Sequence, residues 1–184
     1  MALTLVKETG AVVAGANSYA NADDGDAYHE GHAYASAWTG ATTEQKEAAL
    51  VMATRLIDAY MQFGGGRVSD GQALQWPRYG CPDWDAGEAV NPLRAWTGGL
   101  ACFDSTKIPP VLVAATCEEA RCLLVEDLSA APAGEGLKSS QIGTMRTVFD
   151  AARAPHVLSR VTRRLLSKLG TCLGDSGGVR LTRV

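Results

Sequence analysis

Apolar residues recur at helical spacing most clearly between Lys46 and Tyr60. The apolar positions of this segment are Ala49, Met52, Ala53, Leu56, Ile57 and Tyr60. Their intervals of three, four and seven residues place them on one core-facing stripe of an α-helix. Thr42, followed three residues later by Gln45, is typical of a capping box at the start of that helix. The three consecutive glycines that begin at Gly64 indicate that it ends near Phe63.

Two later segments also show the helical period. Ile108-Pro109-Pro110 predicts a helix start, because proline fits the first turn. Its stripe is Val113, Cys117, Ala120 and Leu124, with an acidic outer face of Glu118, Glu119, Glu126 and Asp127. Pro155 predicts the start of a last helix over His156–Leu169. The stripe of that helix is Leu158, Val161, Leu165 and Leu169.

The first predicted helix, about Ala22–His32, begins with acidic residues. Asn21 is a good N-cap, and acidic residues in the first turn suit the helix dipole. The acidic and histidine residues of the segment are Asp23, Asp24, Asp26, His29, Glu30 and His32. They match neither a calcium loop nor the HExxH pattern of a zinc protease. We interpret them as an acidic helix start and predict no metal site.

Apart from a short extended lead-in over residues 1–20, strand-like patterns lie in the last quarter of the chain. Lys138–Phe149 predicts a short β arm or hairpin, with only loose alternation. The hexapeptide Val179, Arg180, Leu181, Thr182, Arg183, Val184 alternates apolar and polar residues and suits addition to the sheet edge of another chain. The predicted fold is therefore mainly α: a small bundle of about four helices, a short β arm and an extended C-terminal tail.

Aromatic residues cluster around a long irregular segment, residues 79–107. Trp76 and Arg78 flank Pro77 just before it, and Trp84 and Trp96 lie within it. One interpretation is that Trp76 anchors the core; the other is that an aromatic–cation pair is offered to nucleic acid or to a protein. Loops of this length are often functional, so all four residues are candidate interface residues.

Charge divides the chain into two parts. Residues 1–135 hold 8 Lys and Arg against 18 Asp and Glu, whereas residues 136–184 hold 9 against 2. We interpret the chain as one structural unit with an acidic helical body, 1–135, and a basic segment, 136–184. The predicted basic surface is Arg160, Arg163, Arg164 and Lys168. It faces either DNA or an acidic neighbouring subunit.

Patterns typical of catalysis are missing from the sequence. It contains no GxSxG, P-loop, GxGxxG or zinc spacing, and the Gly174–Gly178 string GDSGG has too little chain after it for a trypsin-like barrel. The five cysteines lack paired spacing and are interpreted as free thiols. No apolar run approaches the roughly 20 residues of a membrane span, and the N-terminus lacks signal-peptide order. We expect no enzyme, no cofactor and no membrane contact, and synthesis in a cytoplasm.

Several segments together resemble a known family. They are the Ser18-Tyr19 lead-in to the acidic helix, the Lys46–Tyr60 helix, Gln72–Arg78 (Gln-Ala-Leu-Gln-Trp-Pro-Arg), Ile108-Pro109-Pro110, and Leu137–Gly143 (Leu-Lys-Ser-Ser-Gln-Ile-Gly). This order resembles a family of tailed-bacteriophage proteins labelled DnaT-like single-stranded-DNA-binding protein. Such proteins are similar in layout to the small helical head–tail connector adaptors, which form a ring beneath the portal, usually of twelve copies.

The resemblance implies two rival functions. A virion adaptor at the head–tail interface, made in the host bacterial cytoplasm, would bind the portal through Val179–Val184. It would also bind neighbouring copies and a downstream tail or head-completion protein, and its basic surface could meet packaged DNA. A replication accessory protein would instead bind single-stranded DNA.

The residue pattern favours the adaptor. The net charge is −3, and the tryptophans, Trp38, Trp76, Trp84 and Trp96, are not interleaved with Lys and Arg runs. No series of strands typical of an OB-fold is present. The adaptor accounts for the helical body, the aromatic loop, the division of charge and the strand-like tail.

Overall fold

The computed structural model describes residues 3–86, 101–130, 139–142, 145–148 and 157–173. The helices are α1 (Ala22–His29), α2 (Ser36–Thr39), α3 (Thr43–Tyr60), α4 (Pro110–Leu123) and α5 (Arg160–Leu166). The strands are β1 (Met61–Phe63), β2 (Gly66–Arg67), β3 (Arg78–Tyr79), β4 (Ser139–Ile142), β5 (Met145–Val148) and β6 (Gly170–Cys172). They pair antiparallel as β1–β6, β2–β3 and β4–β5. None of the described helices is long and apolar enough to cross a bilayer.

The fold mixes helices with short strands, and it is less clearly mainly helical than predicted. Within the described ranges, three two-stranded sheets accompany the five helices. The β4–β5 hairpin lies inside the predicted arm and confirms that prediction. The other strands are only two or three residues long. Such segments are too short to show a period of two, so the sequence pattern missed them.

Helix α3 forms as its pattern predicts but ends earlier. Thr42 Oγ1 accepts from the Gln45 amide at 3.3 Å, and Gln45 Oε1 accepts from the Thr42 amide at 2.9 Å, so the capping box is confirmed. The helix ends at Tyr60, not near Phe63, because Met61–Phe63 leave it to pair with β6. Most of the predicted stripe is buried, namely Ala49, Ala53, Leu56 and Ile57.

Helices α3 and α4 run antiparallel and divide the core into two clusters. Leu56 and Ile57, late in α3, share the first cluster with Leu112, early in α4. Leu50, early in α3, shares the second with Ala120, late in α4. Leu158, Leu166 and Leu169, from α5 and its flanks, join the first cluster. Burial of this side of α5 therefore fixes which side faces outward.

Two helix predictions need correction, and a third is confirmed. Helix α1 has the predicted Asn21 cap but ends at His29 rather than His32. Helix α5 spans Arg160–Leu166 rather than His156–Leu169, because Ser159 caps it; residues 149–156 lie outside the described ranges. The first turn of α4 contains Pro110 as predicted.

The predicted acidic outer face of α4 is wrong for two of its members, because Glu118 and Glu119 are buried. Each of these carboxylates has a partner: Arg121 Nη2 lies 2.6 Å from Glu118, and the Ser159 amide donates to Glu119 at 3.0 Å. The other two members, Glu126 and Asp127, are exposed.

Candidate nucleic-acid interface

The basic residues of α5 and the turn after it form an exposed strip. Arg160, Arg164 and Lys168 recur every four residues, so they share one side of the helix. All three side chains are exposed, whereas Arg163 is half-buried. Residues 157–173 contain no Asp or Glu. Positive charge is therefore concentrated on this strip although the net charge of the chain is −3.

Buried contacts on the opposite side hold α5 in place. Thr162 and Leu166 are fully buried, half a helical turn away from Arg160 and Arg164. Ser159 Oγ accepts from the Thr162 amide at 3.2 Å. The Ser159 amide donates to the Glu119 carboxylate at 3.0 Å, and burial raises the pKa of that carboxyl. The helix start is thus tied to α4.

Trp84 is the most exposed tryptophan of the described residues. Its side chain is 68% exposed, whereas those of Trp38 and Trp76 are fully buried. The segment that carries it is anchored on both sides: the Phe103 amide donates to Cys81 O at 2.9 Å, and the Asp83 amide donates to Ala101 O at 2.8 Å. The indole is therefore presented to solvent from a chain segment held by main-chain hydrogen bonds.

The fold brings residues 81–85, the Trp84 segment, against the end of α5. Lys168 forms an ion pair with the Asp85 carboxylate. Cys81 Sγ lies 3.6 Å from Leu169 O, which also accepts from the Gly64 amide at 2.9 Å. The segment that carries the exposed indole therefore contacts the strip of exposed cations at Lys168, although 84 residues separate Trp84 from Lys168 in the sequence.

The surface formed by the Trp84 segment and the exposed strip of α5 carries both negative and positive charge. Asp83 Oδ1 accepts from the Asp85 amide at 3.1 Å, so two carboxylates flank Trp84. Lys168 offsets the charge of Asp85. Next to Trp84 the surface therefore suits the apolar face of a base, whereas Arg160 and Arg164 suit phosphate oxygens. Proteins that bind single-stranded nucleic acid combine the stacking of bases on aromatic side chains with cation–phosphate contacts.

Trp76 and Arg78, two of the predicted interface residues, are buried and have structural contacts. The Trp76 ring packs edge-on against Phe63 and Phe103, with centroids 6.0 and 6.2 Å away. The Arg78 guanidinium donates to Gly64 O at 2.8 Å and to Gly65 O at 2.7 Å. The core-anchor interpretation of Trp76 is therefore the correct one, and a buried indole cannot serve as a stacking platform.

A buried polar network supports the same segment. Tyr19 Oη donates to Asp58 Oδ1 at 2.5 Å and accepts from the Trp76 amide at 3.2 Å. The Gln75 amide donates to Asp58 Oδ2 at 3.0 Å. Burial raises the pKa of Asp58 from 3.8 to about 6. The pattern of α3 gave no sign of this network, because its partners lie 17 and 39 residues from Asp58.

The acidic residues of α1 have structural partners. Asp24 completes the capping box with Asn21. Asp26 Oδ1 accepts from Trp38 Nε1 and from Lys46 Nζ, each at 2.7 Å, and these hydrogen bonds hold its pKa below the usual value. His29 is buried against Trp38, with ring centroids 5.1 Å apart. Across the described part of the chain, no group of three or more His, Cys, Asp or Glu is arranged to hold a metal ion.

The remaining predicted residues lie outside the described ranges. They are Trp96, Val179, Arg180, Leu181, Thr182, Arg183 and Val184. The proximity of Trp84 to α5 was missed from the sequence. The exposed Asp85–Lys168 pair, which reveals it, joins residues 83 apart, and no local pattern marks such a pair.

Comparison with known proteins gives one family match. A family model described as "Putative DnaT-like ssDNA binding protein" matches residues 3–184. No curated protein and no solved structure matches the chain. The match spans the helical core, the Trp84 segment and α5.

Proposed function

Because the chain belongs to the family of DnaT-like ssDNA binding proteins, we propose that it binds single-stranded DNA through Trp84 and the exposed strip Arg160, Arg164 and Lys168. The observation that carries the proposal is the family match over nearly the whole chain. The Lys168–Asp85 pair, which joins the end of α5 to the residue after Trp84, supports this choice of site. No catalytic step or cofactor is part of this proposal.

This proposal reverses the preference drawn from the sequence. The argument against single-stranded DNA was that the tryptophans are not interleaved with basic runs. For Trp84 that argument fails in three dimensions, because Asp85 contacts Lys168 at the end of α5. The negative net charge also counts for less, because no acidic residue occurs in 157–173.

Substitution of Trp84 tests the stacking contact. Stacking of one base on an aromatic side chain contributes about 1–3 kcal/mol, so Trp84→Ala should weaken binding of an oligo-dT by roughly 5- to 150-fold. Fluorescence anisotropy of a labelled oligo-dT measures the change. Tyr34→Ala is the matched control, because Tyr34 is 80% exposed and lies in the loop between α1 and α2. Equal affinity of Trp84→Ala and wild type would contradict this contact.

Substitution of the cations tests the phosphate contacts. For single strands each phosphate contact contributes about 0.7 to the slope of log K against log salt. The double variant Arg160→Ser, Arg164→Ser should therefore lower the slope by about 1.4 if each arginine meets one phosphate. Arg55→Ser, which removes an exposed arginine of α3, should leave the slope unchanged. Asp85→Asn should strengthen binding, because it removes a carboxylate beside Trp84 and releases Lys168.

A second candidate is the head–tail connector adaptor. The helical body built on α3 and α4 supports it, because small helical connector adaptors are the layout that the resemblance implies. In this proposal the chain is a virion protein. It joins copies of itself, the portal protein and a downstream tail or head-completion protein, and Val179–Val184 dock on the portal.

Particle composition distinguishes the two candidates. An adaptor is present in purified particles, and removal of Val179–Val184 prevents its joining the portal. A replication accessory protein is absent from particles and stays in the host bacterial cytoplasm. Complete virions assembled from the truncated chain would refute the docking role of the tail.

A further inference from the structure

An apolar groove lies on the surface between α3 and the end of α4. Ala48, Ala49 and Met52 line it from α3, and Leu123 and Leu124 line it from the other side. Asp127 stands at the rim, near Gln45. The volume of the groove is about 330 Å³, near the lower end of the roughly 300–1,000 Å³ typical of binding pockets.

The last described residue before the C-terminal segment lies against the opposite end of α3. The Leu173 amide donates to Tyr60 O at 2.7 Å, which holds residue 173 against the last turn of α3. Tyr60 follows Ala49 by eleven residues, about three helical turns, so both lie on one side of α3. Met52 is about 12 Å from Tyr60 along the axis at 1.5 Å per residue.

The sequence after residue 173 matches the groove in length and in chemistry. Val179 follows Leu173 by six residue positions, which span up to about 20 Å when extended, enough to reach Met52. In an extended chain Val179, Leu181 and Arg183 share one side, over about 13 Å. From Met52 to Gln45 the helix rises about 10 Å. Along the segment the order is apolar, apolar, cationic. Along the groove the order of Met52, Ala48 and Asp127 is apolar, apolar, anionic, so the two are complementary.

We infer that residues 179–183 of the same chain bind this groove, with Val179 over Met52, Leu181 over Ala48 and Ala49, and Arg183 paired with Asp127. Asp127 is ready for such a pair: it is exposed, and hydrogen bonds from Ser129 hold its pKa below the usual value. Attachment through the five-residue spacer 174–178 keeps the segment at a millimolar effective concentration, which favours its own groove over that of another copy. The inference does not depend on DNA binding.

Methyl NMR of the full-length chain tests the inference. The sequence has four methionines, so selective labelling gives few signals, and Met52→Leu assigns the one in the groove. Leu181→Asp should shift the Met52 methyl signal, because it expels the segment. Thr182→Asp should leave it unchanged, because Thr182 lies on the other side of an extended chain. Equal spectra for wild type and Leu181→Asp would overturn the proposal.

A groove variant and a mass measurement complete the test. Ala48 is exposed, so Ala48→Arg should fold while it fills the groove and repels Arg183. In that background Leu181→Asp should cause no further shift of Met52. In the background of Ala27→Arg, the same change at an exposed site on α1, the shift should persist. Light scattering should give the same molecular mass for wild type and Leu181→Asp. If wild type forms a larger assembly that Leu181→Asp dissociates, the groove binds a second copy and the proposal is overturned.

Discussion

For Gly25 in α1, helix propensity and packing predict opposite effects of substitution by alanine on stability. Alanine is favoured over glycine within a helix by about 1 kcal/mol, so the sequence alone predicts that Gly25→Ala stabilises the protein. In the structure, a Cβ at this position would lie 2.1 Å from Cζ2 and 2.6 Å from Cη2 of Trp38. Contacts this short require either the ring or α1 to move.

The Trp38 ring has little freedom to move. It is fully buried, its Nε1 donates to Asp26 Oδ1 at 2.7 Å, and Lys46 Nζ lies 5.2 Å from the ring centroid. Overpacking of a filled core costs about 1–3 kcal/mol, and two contacts below 3 Å place this case near the upper end. We therefore expect Gly25→Ala to lower the free energy of unfolding by about 2 kcal/mol, after the helix-propensity gain is subtracted.

Urea unfolding measures the difference, as a lower midpoint at an unchanged slope. Gly31→Ala is the matched control, because a Cβ there meets nothing within 4 Å, and its effect should stay within about 0.5 kcal/mol. Trp38→Phe removes the ring atoms that clash, so in that background Gly25→Ala should cost at least about 1 kcal/mol less. A Gly25→Ala protein as stable as wild type, or more stable, would refute the packing of α1 on Trp38.

Two further predictions concern the buried polar groups around Trp76. The folded-state pKa of Asp58, about 6, lies above its usual value of 3.8, so this group's contribution to stability is complete below about pH 4 and is lost as the pH rises through 6. The loss between pH 4 and 7 is about 3 kcal/mol. Over this range the free energy of unfolding should therefore fall by about 3 kcal/mol less in Asp58→Asn than in wild type. Parallel profiles of the variant and wild type would contradict this prediction. Arg78→Lys should cost about 2–3 kcal/mol in urea unfolding, because one ammonium cannot replace the guanidinium hydrogen bonds to Gly64 O, Gly65 O and Gln75 O. An unchanged midpoint would show that these bonds contribute little.

Local signals predicted the helices better than the strands. The capping residues Asn21 and Thr42 act within three residues of chain, so their pattern is visible in the sequence. The end of α3 was misplaced because Met61 pairs with Cys172, more than a hundred residues away. Glu119 was expected on an outer face because only its position on α4 could be considered, and its partner Ser159 lies 40 residues later.

The candidate site shows the same limit. Exposure of Arg160 and Arg164 follows from the burial of Leu166 on the opposite side of α5. The predicted stripe of that helix missed this residue and included Val161, which is exposed. That Trp84 adjoins them depends on long-range contacts between Cys81 and Leu169 and between Asp85 and Lys168. The family match over residues 3–184 changed the functional preference from an adaptor to a single-stranded-DNA-binding protein, and these contacts supplied the candidate site.

A competition between single-stranded and duplex DNA tests the central claim most directly. The full-length protein is titrated into a labelled oligo-dT of about 20 nucleotides, longer than the roughly 4–16 nucleotides of a typical site, and unlabelled oligo-dT or a duplex of equal length is then added. We predict that the single strand competes more strongly than the duplex and that rising salt weakens the binding. Absence of binding at physiological salt, or equal competition by the duplex, would contradict the claim.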